Sequence, residues 1–211
     1  MEKNVIEYYV LCNKLKKVIR TGWEDWNISS ERIESVAEHV YGVLMLAIAM
    51  YSEYDYDIDL KKVLYMLSVH ELEEIIIGDL TMFQINREEK KKMGHEAVVK
   101  ILSRLKNKDE IMNLVLEFDE RETEEAKFAY QCDKLECDLQ ARLYDLDGYA
   151  DLTHENNYIL NDPRVHNLLD KGYSFSEMWL KFGQETYPYD KNFLSVSNYA
   201  LEHDIRSDSD V

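Results

Sequence analysis

For its first 162 residues this chain contains no proline; the first is Pro163 and the second Pro188. Proline removes a helical N–H and clashes with the preceding turn, so a long stretch without it leaves helices free to run. Five of the seven glycines fall in the same stretch, and apolar residues recur through it at spacings of three and four. That is the period of a helix buried along one face. The expected fold is all-α: a single globular helical bundle, since 211 residues suffice for one domain with a sizeable core. Helices are expected over 4–20, from the capping box Ser35–Glu38 onward, over 60–78, 96–105, 111–118, 122–147, 165–169 and 175–182. The last 25 or so residues read as a frayed end.

The stretch Leu60–Asp79, LKKVLYMLSVHELEEIIIGD, carries the most chemistry. With Leu67 at zero on a helical wheel, Leu60, Val63 and Leu64 fall at about 20°, 320° and 60°, one apolar stripe. On the same wheel His70, Glu71 and Glu74 fall at about 300°, 40° and 340°, on that stripe, whereas Glu73 at about 240° points away. Gly78 then stops the helix. Ionised carboxylates on a core face need compensation, because effective penalties reach several kcal/mol per buried charge. A divalent metal supplies it, since imidazole nitrogen and carboxylate oxygen both suit first-row ions. The competing reading is a helix end that emerges into solvent.

Two other helices offer further ligands. With Val36 at zero, Val40, Val43 and Ala47 fall at about 40°, 340° and 20°, and His39 at about 300°, beside the stripe. His39 is either a hydrogen-bonded core residue or a ligand. With Ala129 at zero, Asp133 falls at about 40° and Asp138 at about 180°. Asp133 is therefore the better inward candidate, against the bland alternative of a solvated aspartate. Arg20-Thr21-Gly22-Trp23 reads as a clamp, a guanidinium fork for phosphate beside a flat apolar ring, or as a helix stop with a core tryptophan. The run Arg87–Lys92 reads as the solvated start of a helix.

Charge narrows the partners. Lys and Arg number 25 against 42 Asp and Glu, a net charge of −17. Such a surface disfavours nucleic-acid polymers and anionic membranes, while a small anion held by a metal or a local cation remains compatible. The longest apolar run, Val43–Tyr51, is too short for a bilayer, and the N-terminus lacks a signal-peptide pattern. Cys12, Cys132 and Cys137 are odd in number and lack zinc-finger spacing, so reduced thiols in the cytoplasm are expected.

The pieces RTGW at 20–23, SVAEH at 35–39, HELEEIIIGDLT at 70–81 and YQCDKLECDLQA at 130–141 resemble, in this order, the HD-domain metal-dependent phosphohydrolases, and within them the 5′-deoxynucleotidase-like branch. The resemblance covers roughly 5–147. It implies an HD-domain helical bundle with a central metal site, assigned to 1–185, followed by a partly irregular C-terminal extension at 186–211. It implies one divalent ion (Mn, Co, Fe, Zn or Mg) held by His39, His70, Glu71 and Asp133, with Glu74 as the catalytic carboxylate. Arg20 would hold the phosphate, Trp23 would line the sugar, and Asp79 with Thr81 would meet a sugar hydroxyl. A small-molecule nucleotide, a nucleoside monophosphate of the deoxy series, is the implied substrate, and a homodimer the implied assembly. The family's doublet is His-Asp, whereas this chain has His70-Glu71. Beside the hydrolase stand two other readings: a nucleotide-binding or regulatory module that has lost catalysis, and a hydrolase of another nucleotide.

Overall fold

The computed structural model describes residues 1–29, 31, 33–81, 83–153 and 158–206. Among these, every regular element is helical and the only β pairing is an isolated antiparallel bridge between Ile19 and Ser35. The all-α expectation therefore holds. No helix among the described residues is long and apolar enough to cross a membrane. By packing, the chain gathers into two units, Met1–Thr21 with Glu34–Cys132, and Gly22–Ile33 with Asp133–Val211.

The first unit opens with α1 (Glu2–Cys12) and a 3-10 turn (Asn13–Lys17). The helix expected over 4–20 thus ends early. Val18 turns extended, Val36 N–H donates to the Val18 carbonyl at 2.8 Å, and Arg20 N–H to that of Glu34 at 3.1 Å. β-branched Val18 and Ile19 favour that pairing over further helix. α1 buries none of its residues and exposes Val5, Ile6, Tyr9 and Val10. α3 (Val36–Glu53) starts at the expected capping box: Ser35 Oγ accepts from Glu38 N–H while Glu38 Oε2 accepts from Ser35 N–H at 2.8 Å. (The five-residue α2, Thr21–Asp25, lies between them in sequence.) Val36, Val43 and Ala47 of α3 are buried as their phase requires.

α4 (Leu60–Val69) is capped by Asp59, which accepts from Lys61 N–H at 2.9 Å. It packs on α3 and on α7 (Lys108–Glu120), with Lys62 Nζ 2.6 Å from Glu117 Oε1. The single helix expected over 60–78 is two: α4, a turn at 70–73, then α5 (Glu74–Ile77). Through the turn the bonds run three residues back, Leu72 to Val69, Glu74 to Glu71 and Ile75 to Leu72, the tighter 3-10 pattern. Gly78 ends α5 with φ 75°, a conformation that glycine adopts without strain. α6 (Arg87–Leu102), capped by Asn86, covers α5 and α7, and His95 Nε2 lies 2.6 Å from Asp119 Oδ2 to join α6 to α7.

α8 (Glu124–Leu146) begins in the first unit and continues into the second. From Phe128 to Asp138 every residue but Lys134 is buried. A helix buried all round is one with neighbours on more than one side, so a single-stripe wheel misplaces Asp138, which is 1% exposed rather than solvated. Within the second unit Tyr189 O–H donates to Asp138 Oδ2 at 2.9 Å. α10 (Phe175–Thr186) approaches at Gly183, where a Cβ would run into the Asp138 carboxylate. α9 (Pro163–Leu169) and α11 (Lys191–Glu202) pack on α10, and α11 buries Phe193, Ser197 and Ala200. Lys191–Glu202, within the stretch expected to fray, is therefore helix; the last five residues, 207–211, lie outside the described ones.

Burial pushes the Asp138 carboxyl well above the usual range, the nearby Asp133 charge adding to this against the Tyr189 hydrogen bond and Lys134. An acid whose folded pKa is raised favours the folded state at low pH and withdraws that contribution as pH rises through the folded value. Asp138→Asn, which cannot ionise, should therefore flatten the fall in melting temperature above the ordinary carboxylate range of about pH 4. The check is thermal denaturation from pH 5 to 9. A variant that loses more stability than the wild type at pH 9 than at pH 5 would contradict it.

Candidate metal centre

The capping box at Ser35 sets the phase of α3, and that phase carries His39 inward to 0% exposure one turn later. His70 sits at the C-cap of α4. Its Nδ1 lies 2.7 Å from the Leu67 carbonyl, which can only accept, so Nδ1 carries a proton and Nε2 is the nitrogen that can offer a lone pair to a metal. The two imidazoles stand with ring centroids 5.7 Å apart. Glu71 follows at the start of the turn, and its Oε1 lies 3.5 Å from His70 Nε2 and 3.9 Å from His39 Nε2. Asp133 comes from α8, buried, with Lys134 Nζ 2.8 Å from its Oδ2.

Within the first unit, one ligand atom each from His39, His70 and Glu71 lies within 4.8 Å of the other two. A lone-pair nitrogen facing a carboxylate oxygen is repulsive unless a positive charge stands between them. Two imidazoles and a carboxylate of this spacing fit one divalent first-row ion, whose bonds to nitrogen and oxygen run about 2.0–2.2 Å. The Nδ1–H bond to a backbone carbonyl is also the arrangement that orients ligating histidines.

Cations border the cluster. Arg20 Nη1 is 3.9 Å from Glu71 Oε1 and its Nε 4.0 Å from Glu34 Oε1. Glu74, the first residue of α5, is 1% exposed. Its Oε1 accepts from Lys90 Nζ at 3.2 Å, and its Oε2 is buried without a hydrogen-bond partner. Burial pushes the Glu74 carboxyl well above the usual range, and the charges of Glu71 and Asp79 add to this against Lys90 and Arg20. Asp79 Oδ2 accepts the Thr21 N–H at 2.7 Å and so holds the start of α2. Thr81 N–H donates to Gln84 Oε1 at 3.0 Å.

Trp23 corrects the sugar-lining expectation. It is 1% exposed, and its ring lies 5.3 Å from that of Tyr144 and 4.9 Å from that of Trp179. The second unit uses it as a core side chain, the alternative that the glycine turn left open, and no face of it remains for a sugar.

Two residues were missed from sequence. Glu73, placed outward by the wheel, is half-buried against Gly94 of α6, and desolvation with the Glu71 charge pushes its carboxyl up to about 8. Lys90, placed in a solvated charge run, reaches Glu74. Both errors arise because α6 covers the second face of α5, which a wheel drawn on one segment cannot show. A small residue at 94 amid a charged run was the one signal of close packing there.

A family model described as "HD domain" matches residues 12–170. The 5′-deoxynucleotidase HDDC2 of Dictyostelium discoideum is 33% identical over 150 residues, 67% of this chain and 78% of that protein. The 5′-deoxynucleotidase hdd1 of Schizosaccharomyces pombe is 32% identical over 159 residues, 71% of this chain and 78% of that one. The human HDDC2 is 31% identical over 156 residues, 72% of each. Among solved structures, the PH0347 protein of Pyrococcus horikoshii OT3 superposes with a TM-score of 0.69 at 25% identity, covering 93% of this chain and 98% of that one. A protein of Magnetospirillum magnetotacticum MS-1, described as a predicted metal-dependent phosphohydrolase, has a TM-score of 0.68 at 20% identity, covering 95% and 93%, a likeness of fold.

The geometry of His39, His70 and Glu71 predicts about one equivalent of divalent metal per chain after reconstitution with Mn²⁺. His70→Ala should lower affinity at least about tenfold while the far-UV circular dichroism stays helical, since perturbing metal-site groups commonly costs about 10–100-fold. Metal analysis after dialysis reads the outcome, and equal retention by both proteins would exclude His70 as a ligand.

Proposed function

The chain belongs to the HD-domain family, and on that premise we propose that it is a metal-dependent phosphohydrolase that removes the 5′-phosphate from nucleoside monophosphates, those of the deoxy series foremost. The observation that carries the reading is the grouping of His39 and His70, both buried, with Glu71, bordered by the guanidinium of Arg20 and the carboxyl of Glu74. The deoxy preference is supported by the 5′-deoxynucleotidases among the relatives.

His39, His70, Glu71 and Asp133 would hold the ion. When bound, such an ion lends Lewis acidity toward a phosphate oxygen and lowers the pKa of a water. The nitrogen-containing donor set favours Mn, Fe, Co or Zn over Mg. Glutamate at position 71 serves where the family has aspartate because the turn at 70–73 already brings its Oε1 toward both imidazoles. Arg20 presents donors for phosphate oxygens beside Glu71. Glu74 Oε2 is the atom suited to take the proton of the attacking water and pass one to the departing 5′-oxygen. The water oxygen bonds to phosphorus as the bond from phosphorus to the 5′-oxygen breaks, and the products are inorganic phosphate and the nucleoside. Asp79, with one oxygen on the Thr21 N–H, has its other oxygen for a sugar hydroxyl, and Thr81 lies two residues on.

The same reading takes the protein as a cytoplasmic homodimer. The three cysteines are unbridged thiols, as a reducing compartment keeps them. α3 exposes Tyr41, Met45 and Ile48 at one-turn spacing, and α1 exposes Val5, Ile6, Tyr9 and Val10, apolar area that self-association would cover. Sedimentation velocity should give about twice the mass of the 25.0 kDa chain; a monomer at micromolar concentration would remove the dimer from this reading.

Activity is tested with the purified protein, Mn²⁺ or Co²⁺, and a panel of nucleotides. Phosphate release from deoxynucleoside monophosphates is expected. Glu74→Gln should lower kcat by about 10²–10⁴ while metal content is kept, the usual share of a general acid or base. Silence of the wild type on every nucleotide with every metal would sink the proposal.

A further inference from the structure

We propose that Lys90 is a positioning residue for the hydrolysis: its ammonium pins one carboxylate oxygen of Glu74 so that the other is held toward the reacting atoms. The inference rests on the phosphohydrolase reading and adds to it a residue to which that reading gave no role.

From Arg87 to Met93 only Lys90 is not exposed. Its Nζ lies 3.2 Å from Glu74 Oε1 and 2.9 Å from the Leu80 carbonyl. These acceptors stand on either side of the bend at Gly78: Glu74 begins α5, and Leu80 belongs to the segment that leaves it. An exposed lysine paired to one carboxylate is a loose contact worth little. An ammonium held by two acceptors, one of them charged, is directional and shorter-ranged in its motion. Burial works against the charge on Lys90, but the carboxylates of Glu71, Glu74 and Asp79 outweigh it and raise its pKa. The pin is therefore a cation throughout the neutral range.

The terminal torsion of a glutamate is broad and roughly two-fold, so packing of the stem alone leaves its carboxylate free to turn. Fixing Oε1 on Lys90 fixes the direction of Oε2, the oxygen that is buried with no hydrogen-bond partner. Catalysis by a positioned base depends steeply on such aim: a misplacement of about 1 Å can cost about 10²-fold. A second contact would be redundant if Lys90 served only to hold α6 in place, since α6 already meets the residue that precedes α5, at Gly94 and Glu73.

The test compares wild type, Lys90→Met, Lys90→Arg, Glu74→Gln and the Glu74→Gln/Lys90→Met double variant with Mn²⁺ and a deoxynucleoside monophosphate. Lys90→Met should lower kcat by about 30–100-fold with KM within about threefold and metal content unchanged. Lys90→Arg should recover part of the loss. In the Glu74→Gln background the lysine substitution should cost nothing further, because nothing remains to be aimed. If Lys90→Met does not fold, Lys90→Gln, which can still donate to the Leu80 carbonyl, takes its place in the same cycle. A wild-type kcat in the lysine variant, a loss confined to KM or to metal content, or losses that multiply in the double variant would each overturn the proposal. A wild type inactive on every nucleotide would instead remove the phosphohydrolase reading, and this inference with it.

Discussion

Glu71 and Glu74 bring carboxylates to places where water screens them poorly, and the first unit is built around answering that charge. Glu71 Oε1 stands within 4 Å of two imidazole nitrogens and a guanidinium. Glu74 meets the ammonium of Lys90, and in the second unit Asp133 meets that of Lys134. Desolvating an ion costs several kcal/mol after relaxation, and attraction in the interior repays it only where geometry is good. Helices that carry these groups cannot pack until the charges have partners, so the positions of Arg20, Lys90 and the imidazoles are conditions of the fold as well as of the chemistry.

The turn at 70–73 shows how local backbone serves that arrangement. A continuous α-helix would advance 100° per residue from His70 to Glu74. The three-residue bonds instead tighten the turn and bring Glu71 and Glu74 nearly above one another. One side chain then reaches the imidazoles and the other a lysine from α6. Gly78 closes the segment with a positive φ and lets the chain double back, so that Asp79 caps α2 and the Leu80 carbonyl meets Lys90. A glutamate in place of the family's aspartate is accommodated inside this same turn.

Much of this was legible in sequence because it depends on local rules. The capping box at Ser35 and the 3.6-residue period set the phase of α3 and with it the burial of His39. The apolar stripe of α4 carried His70 and Glu74 inward even though the helix tightens after Val69, since His70 and Glu73, at the two ends of the turn, keep α-region dihedrals. Asp133 was placed on the buried side of α8 by the same arithmetic. These features belong to one segment each, and the chain's own period fixes them.

What sequence could not supply was the identity of the neighbour across each face. The wheel turns Asp138 and Glu73 away from its one inside face, whereas α8 is covered on more than one side and α6 packs against Glu73. Trp23 stood open between clamp and core until Tyr144 and Trp179 closed over it. Lys90 lay in a run of charges whose other members are exposed, and its contact with Glu74 spans 16 residues. Periodicity within a segment determined which residues turn inward; only the packing of distant segments decided what each of them meets there, because that choice is made by whole helices competing for the same faces.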